Sequence, residues 1–167
     1  MNEFEIDYFS KFKELQIETN PVYPRNDIGI ARLFFELHSE FTRYVIEPKS
    51  WYYYNGKHWK KDEGGSLKTI ELGKSFAESF AKYVNVVIRD KEFSKYASGF
   101  TGRKRREGIL SDARSIKPMN LSMFDRNKNL FNCKNGTYDL SKMEFYPHNR
   151  EDFITSMADV EYDCDTR

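Results

Sequence analysis

Apolar positions recur at two different periods along the chain, and the change of period divides it. In "DYFSKFKELQI", residues 7–17, Phe9, Phe12 and Leu15 fall along one side of a short amphipathic helix. "ETNPVYPRN" follows with two prolines and reads as a linker. Asn26 or Asp27 then caps a second helix, because their side-chain oxygens accept free N–H groups of its first turn. That helix runs to about Ser39, with Ile30, Leu33, Phe34 and Leu37 at helical spacing. "RYVIEPKSWYYYNGKHWKKDEGG" changes to a strand-like pattern around Asn55-Gly56, a strong hairpin signal. A two-residue turn there pairs Tyr54 with Lys57, Tyr53 with His58, Tyr52 with Trp59 and Trp51 with Lys60. Tyr52, Tyr54 and Trp59 then share one face, and Trp51, Tyr53 and His58 the other.

After Gly64-Gly65 the helical period returns. Leu67, Ile70, Phe76, Phe80, Tyr83, Val84 and Val87, with Leu72 adjacent, recur at spacings of three and four. "KEFSKYASGF" extends the helical region, and Gly99 with Gly102 breaks it. A further helix carries Ile109, Leu110, Ala113 and Ile116 and stops before Pro118. "NLFNCKNGTYDLSKMEFYPH" is strand-like again, with turns at Asn135-Gly136 and Ser141-Lys142. The order is helices, hairpin, helices, meander, without the βαβ alternation of a parallel sheet. The fold class is α+β: a helical core, an aromatic β-hairpin and a small C-terminal β-meander. Three segments follow: an N-terminal helix and linker (1–25), an accessory domain (26–150) and an acidic boundary segment (151–167).

Charge sharpens this division. Net charge is +1, and residues 1–99 balance 15 basic against 15 acidic groups. Residues 100–117 carry six basic and two acidic groups, whereas residues 151–167 hold six carboxylates against Arg167 alone. The positive charge is therefore a local patch. In "TGRKRREGILSDARSIK" four cations, Arg103, Lys104, Arg105 and Arg106, coincide with a helix start, where the backbone dipole disfavours them. A nucleic-acid phosphate compensates for that cost, or water and salt screen it. The dipole argument requires the helix to begin near Arg103 and not at Lys91. On a helical wheel Arg105 and Arg106 flank the apolar stripe, Arg103 lies further round and Lys104 opposite.

Other chemistry is thin. "LGKSF" lacks the glycine of a phosphate loop, since Lys68 stands five residues before Gly73. Glu161, Asp163 and Asp165 alternate on an extended strip, but hard cations need oxygens converging from several directions, and a solvated tail is the simpler reading. His38, His58 and His148 suit a helix surface, a hairpin face and a strand exit, and no nucleophile pairs with a base. Cys133 and Cys164 fit no metal spacing and read as free thiols of a reduced cytosol. Without an apolar run of about 20 residues or a signal peptide, the chain reads as cytoplasmic. Trp51, Tyr53 and Lys60 fit a base-stacking platform for single strands, with core anchoring as the competing role of the tryptophans.

"NDIGIARLFFELHSEFTRYV", "WYYYNGKHWKKD", "LFNCKNGTYDL" and "FYPHNREDFITSMADVEYDCD" together carry a resemblance. In order, Asn26-Asp27 with Gly29, Arg43-Tyr44, Trp51 with Asn55-Gly56 and Trp59, Asn135-Gly136 with Asp139-Leu140, and the string Pro147 to Thr155 resemble the poxvirus-, phage- and plasmid-type primase-helicases. The matching part is the domain just before the superfamily-three helicase ATPase, over about residues 26–165. Ile30 stands where that family usually has Asn, and Ser141-Lys142 where it often has Thr-Gly. The resemblance implies part of a longer replication protein in a bacterial host, whose ATPase domain takes ATP and Mg²⁺ while this chain takes no cofactor. It also implies a non-catalytic domain that contacts DNA and supports a self-associating helicase ring. The phosphate grip expected is Arg103, Lys104, Arg105, Arg106 and Arg114. A protein-interaction collar, in which the basic cluster meets a neighbour's acidic tail, is the alternative, and a stand-alone nuclease has no side-chain cluster behind it.

Overall fold

The computed structural model describes residues 5–164, which form an α+β fold divided into two compact units. One contains residues 5–39 and 66–117, the other residues 40–65 and 118–164.

The first unit is helical. Helix α1 (Tyr8–Glu14) is capped by Asp7, whose carboxylate accepts from the Ser10 N–H. It buries Tyr8 and Phe12, while Phe9 and Leu15 are only half-buried. The predicted stripe is thus rotated by one position, because Tyr8 reaches inward to bond His38. Helix α2 (Asp27–His38) starts where Asn26 caps it, the side chain accepting from the Gly29 N–H at 2.9 Å. The stretch read as a linker is packed: Tyr23 is buried, and a Cβ on Gly29 would lie 1.9 Å from the Pro24 carbonyl oxygen. Helix α3 (Glu63–Tyr83) turns Thr69, Leu72, Gly73, Phe76, Ala77, Phe80 and Tyr83 inward. Leu67, Ile70 and Val87, expected in the stripe, are exposed instead, since the small or polar Thr69 and Gly73 occupy the inner side.

A π-helical turn, Val84–Ile88, ends on Arg89 in left-handed conformation, and Asp90 caps α4 (Lys91–Ser98). Helix α5 (Arg103–Ala113) follows a 3₁₀ turn at Gly99–Thr101. The core is aromatic. Phe76 meets Tyr8, Phe12, Phe34 and His38 edge-on or tilted and stacks with Phe80 at 5.9 Å. Ring pairs in these geometries add about 0.5–1.5 kcal/mol each beyond area burial. His38, assigned from sequence to a helix surface, is fully buried here.

The second unit holds two three-stranded antiparallel sheets. Strands β1 (Thr42–Val45), β2 (Ser50–Tyr54) and β3 (Trp59–Lys61) form the first, so the expected hairpin gains a strand on its β2 side. Its turn is Gly56-Lys57, one residue later than expected: the Asn55 side chain accepts from the Lys57 and His58 N–H groups, and Gly56 takes the positive φ. Tyr54 therefore pairs with Trp59, Tyr53 with Lys60 and Tyr52 with Lys61. A two-step change in pairing preserves faces. Tyr52, Tyr54 and Trp59 pack with Val45, Met119, Phe124 and Phe153.

Strands β4 (Leu130–Cys133), β5 (Gly136–Asp139) and β6 (Glu144–Tyr146) form the expected meander, with its first turn at Lys134-Asn135 and not at Asn135-Gly136. Residues 158–162 run beside β4 as a parallel strap. Ala158 donates to the Asn132 carbonyl at 2.9 Å, and the Lys134 N–H to Val160 at 2.8 Å. The Asn135 amide exchanges two 2.9 Å bonds with the Tyr162 backbone. The segment read as a solvated tail is therefore docked as far as Tyr162; Asp165 and Arg167 lie outside the described residues.

Candidate nucleic-acid interface

Helix α5 begins at Arg103, so the dipole argument applies to the basic cluster. Its N-cap is Gly102, which offers no side-chain acceptor, and its first turn holds no carboxylate. The N–H groups there are left to water or a ligand.

Side chains of the same unit compensate much of the charge. Arg105 lies across Phe100 at 4.0 Å and Tyr96 at 4.7 Å from the ring centroids, and pairs with Asp27 at 2.7 Å. Gly99 leaves room for it, since a Cβ there would sit 2.6 Å from Nη1. Asp27, at the start of α2, also accepts from the Tyr96 hydroxyl at 2.6 Å. That bond, with the Arg105 guanidinium second, holds the Asp27 carboxyl below its usual range. Burial, then the Asp27 carboxylate, raises the Tyr96 phenol. Arg105 thus joins α5 to α2 and α4 as a structural cation. Arg25 repeats the arrangement, lying 4.3 Å over Phe93 and pairing with Asp90 at 2.8 Å.

The other cations are more available. Arg103 pairs with Glu107 one turn on at 2.7 Å, but its side chain is 85% exposed, so water screens the pair. Arg106 donates to the Thr101 carbonyl. Lys104 is exposed and has no ion pair among the described residues. Arg114, the C-cap of α5, is exposed and has an interaction of its own. Of the cations expected in the grip, Arg103, Lys104 and Arg106 stand at the helix start and Arg114 at its far end, while Arg105 is engaged by Asp27, Tyr96 and Phe100.

The expected stacking residues belong to the other unit. Trp51 is 7% exposed and meets Tyr44 edge-on at 5.7 Å, which makes it a core anchor and leaves no open face for a base. Tyr53 is half-buried and directly opposite the exposed Lys60. Trp59 is also an anchor: its indole N–H donates to the Arg150 carbonyl and its ring stacks on Phe153. Asn132, which no motif singled out, links the two sheets. Its Nδ2 donates to the carbonyls of Lys57 and Ser156, and its Oδ1 accepts from Thr137 and faces His148 Nδ1 at 2.9 Å.

No group of three metal-ligating side chains occurs among the described residues, and none of their helices is long and apolar enough to cross a membrane. The partners of Arg105 lie 5 to 78 positions away, beyond any motif; only Gly99 and the spacing of Tyr96 and Phe100 hint at them. A family profile described as D5 N terminal like matches residues 31–167. No curated protein matches the chain.

Proposed function

This chain belongs to the D5 N-terminal-like family, the non-catalytic domain that precedes the helicase in primase-helicase proteins, and from that premise we propose that it contacts DNA phosphates and supports assembly or loading of a ring helicase. The start of α5 carries the reading. Uncapped backbone N–H groups stand beside Arg103, Lys104 and Arg106, of which Lys104 has no carboxylate partner among the described residues. Arginine forks and an ammonium suit phosphate oxygens, and the helix dipole adds to them. ATP and Mg²⁺ belong, in this reading, to the ATPase that follows such domains.

Fluorescence anisotropy with labelled single-stranded and forked DNA tests the proposal. Three phosphates neutralised on a single strand give a slope of about −2 in log affinity against log salt. Replacing Arg103 and Lys104 by Glu flattens that slope, and binding that does not respond to salt or to these changes overturns the assignment. A collar that binds only protein is the second reading, favoured by the opposed charge of residues 100–117 and 151–167. Light scattering separates the two: DNA-free association that weakens with salt supports the collar.

A further inference from the structure

The two Asn-Gly pairs of the second unit sit in opposite surroundings, with a chemical consequence. An asparagine followed by glycine loses its side-chain amide when the glycine main-chain nitrogen attacks Cγ, an approach that no glycine side chain obstructs. At Asn55 the groups this step needs are open or activated. Its Oδ1 accepts 2.9 Å bonds from the Lys57 and His58 N–H groups. Those donors polarise the amide carbon and stand where the oxyanion of the tetrahedral intermediate forms. The Gly56 N–H and the Asn55 Nδ2 have no hydrogen-bond partner among the described residues. Gly56 is exposed, and a Cβ placed on it would meet nothing within 4 Å, so the apex of the turn is uncrowded.

Asn135 has the same dipeptide and the reverse surroundings. Its Nδ2 donates to the Tyr162 carbonyl while its Oδ1 accepts from the Tyr162 N–H, so both ends of the amide are held by the strap. Gly136 is buried and pairs with Cys133 in the β4–β5 ladder. Its neighbours crowd it: a Cβ there would lie 2.5 Å from Cζ of Phe145 and 2.6 Å from the Tyr146 carbonyl oxygen. Bringing the Gly136 nitrogen onto Cγ would break the strap bonds and disturb the ladder together.

We propose that Asn55 is a site of spontaneous deamidation, with water as the only co-reactant, and that the fold protects Asn135 from the same reaction. The Gly56 nitrogen bonds to the Asn55 Cγ, the Cγ–Nδ2 bond breaks, and ammonia leaves with the Gly56 amide proton. Water then opens the succinimide to aspartate or isoaspartate. Aspartate keeps both turn bonds and adds a carboxylate to a hairpin that carries Lys57, Lys60 and Lys61 and no acidic side chain between Trp51 and Lys61. Isoaspartate routes the main chain through Cβ and displaces the bond from the Asn55 N–H to the His58 carbonyl. No DNA contact is needed for either product. The test incubates the full chain in mildly alkaline buffer, folded and unfolded in guanidinium, and follows the amide-to-acid mass change at both sites by peptide mass spectrometry. Circular dichroism verifies the two states. In the folded chain Asn55 converts about tenfold faster than Asn135, and in the unfolded chain the two convert at similar rates. Conversion of Asn55 no faster than that of Asn135 in the folded chain overturns the proposal. So does the same ratio of rates in both states, because local sequence and not the fold then sets them.

Discussion

His38 is fully enclosed, its Nδ1 donating to the Phe34 carbonyl at 2.6 Å and its Nε2 meeting the Tyr8 hydroxyl at 2.8 Å. Burial lowers its pKa to about 4, against the smaller opposing effect of the Phe34 bond. The unfolded chain, titrating near 6.5, then binds the proton that the folded chain refuses. The contribution is therefore present above about pH 6.5 and lost as pH falls toward 4, amounting to about 3 kcal/mol. Urea unfolding between pH 7 and 4.5 reads it out, and His38→Gln flattens the profile. Gly29 is the second single-residue lever. An alanine Cβ meets three Pro24 backbone atoms within 2.8 Å, none of which is a flexible side-chain end. Gly29→Ala costs about 1–3 kcal/mol, and calorimetry shows it as a fall in Tm of several degrees.

Within α5, neighbouring cations do different work. Arg105→Ala removes a doubly stacked, ion-paired guanidinium and lowers thermal stability by about 1–2 kcal/mol. If the proposed DNA contact holds, Lys104→Ala leaves Tm unchanged and weakens DNA binding, and paired melting and anisotropy curves set it apart from Arg105→Ala. The strap offers a parallel test. Asn135→Ala removes both bonds to the Tyr162 backbone and leaves the β4 ladder intact. Hydrogen exchange at the Tyr162 amide then accelerates, while the amides of β4 and β5 stay protected. Element type was mostly readable from period: amphipathic spacing located α2, α3 and α5, and Asn-Gly pairs located the β2–β3 and β4–β5 hairpins, whereas β1 was not foreseen. Turn centres were not. Asn55 caps its turn with its side chain, and Asn135 uses its amide as an extra rung for the strap, so each turn moved by one position.

For the whole molecule, a net charge of +1 means that any attraction to DNA is local. A slope of about −2 corresponds to about a 16-fold loss of affinity between 50 and 200 mM salt, and a much steeper loss shows that cations beyond α5 take part. The charge excess of residues 100–117 was legible, as was the family through motifs spread along the chain. The grouping of segments was not: residues 40–65 belong with residues 118–164, although α3, α4 and α5 separate them in sequence.

Sequence by itself determined the type of most elements, where α2 begins, and which faces of β2 and β3 carry their rings. Each follows from local periodicity, capping oxygens or strand parity, and these act over a few residues. Tertiary structure alone decided that Arg105 is spent on Tyr96, Phe100 and Asp27, that Trp51 is an anchor, that His38 is core, and that residues 158–162 are a strap on β4. Those outcomes depend on partners that chain folding brings together, as Arg105 and Asp27 are from 78 positions apart. A side chain's charge is written in its sequence, but whether that charge is already matched depends on what packs beside it.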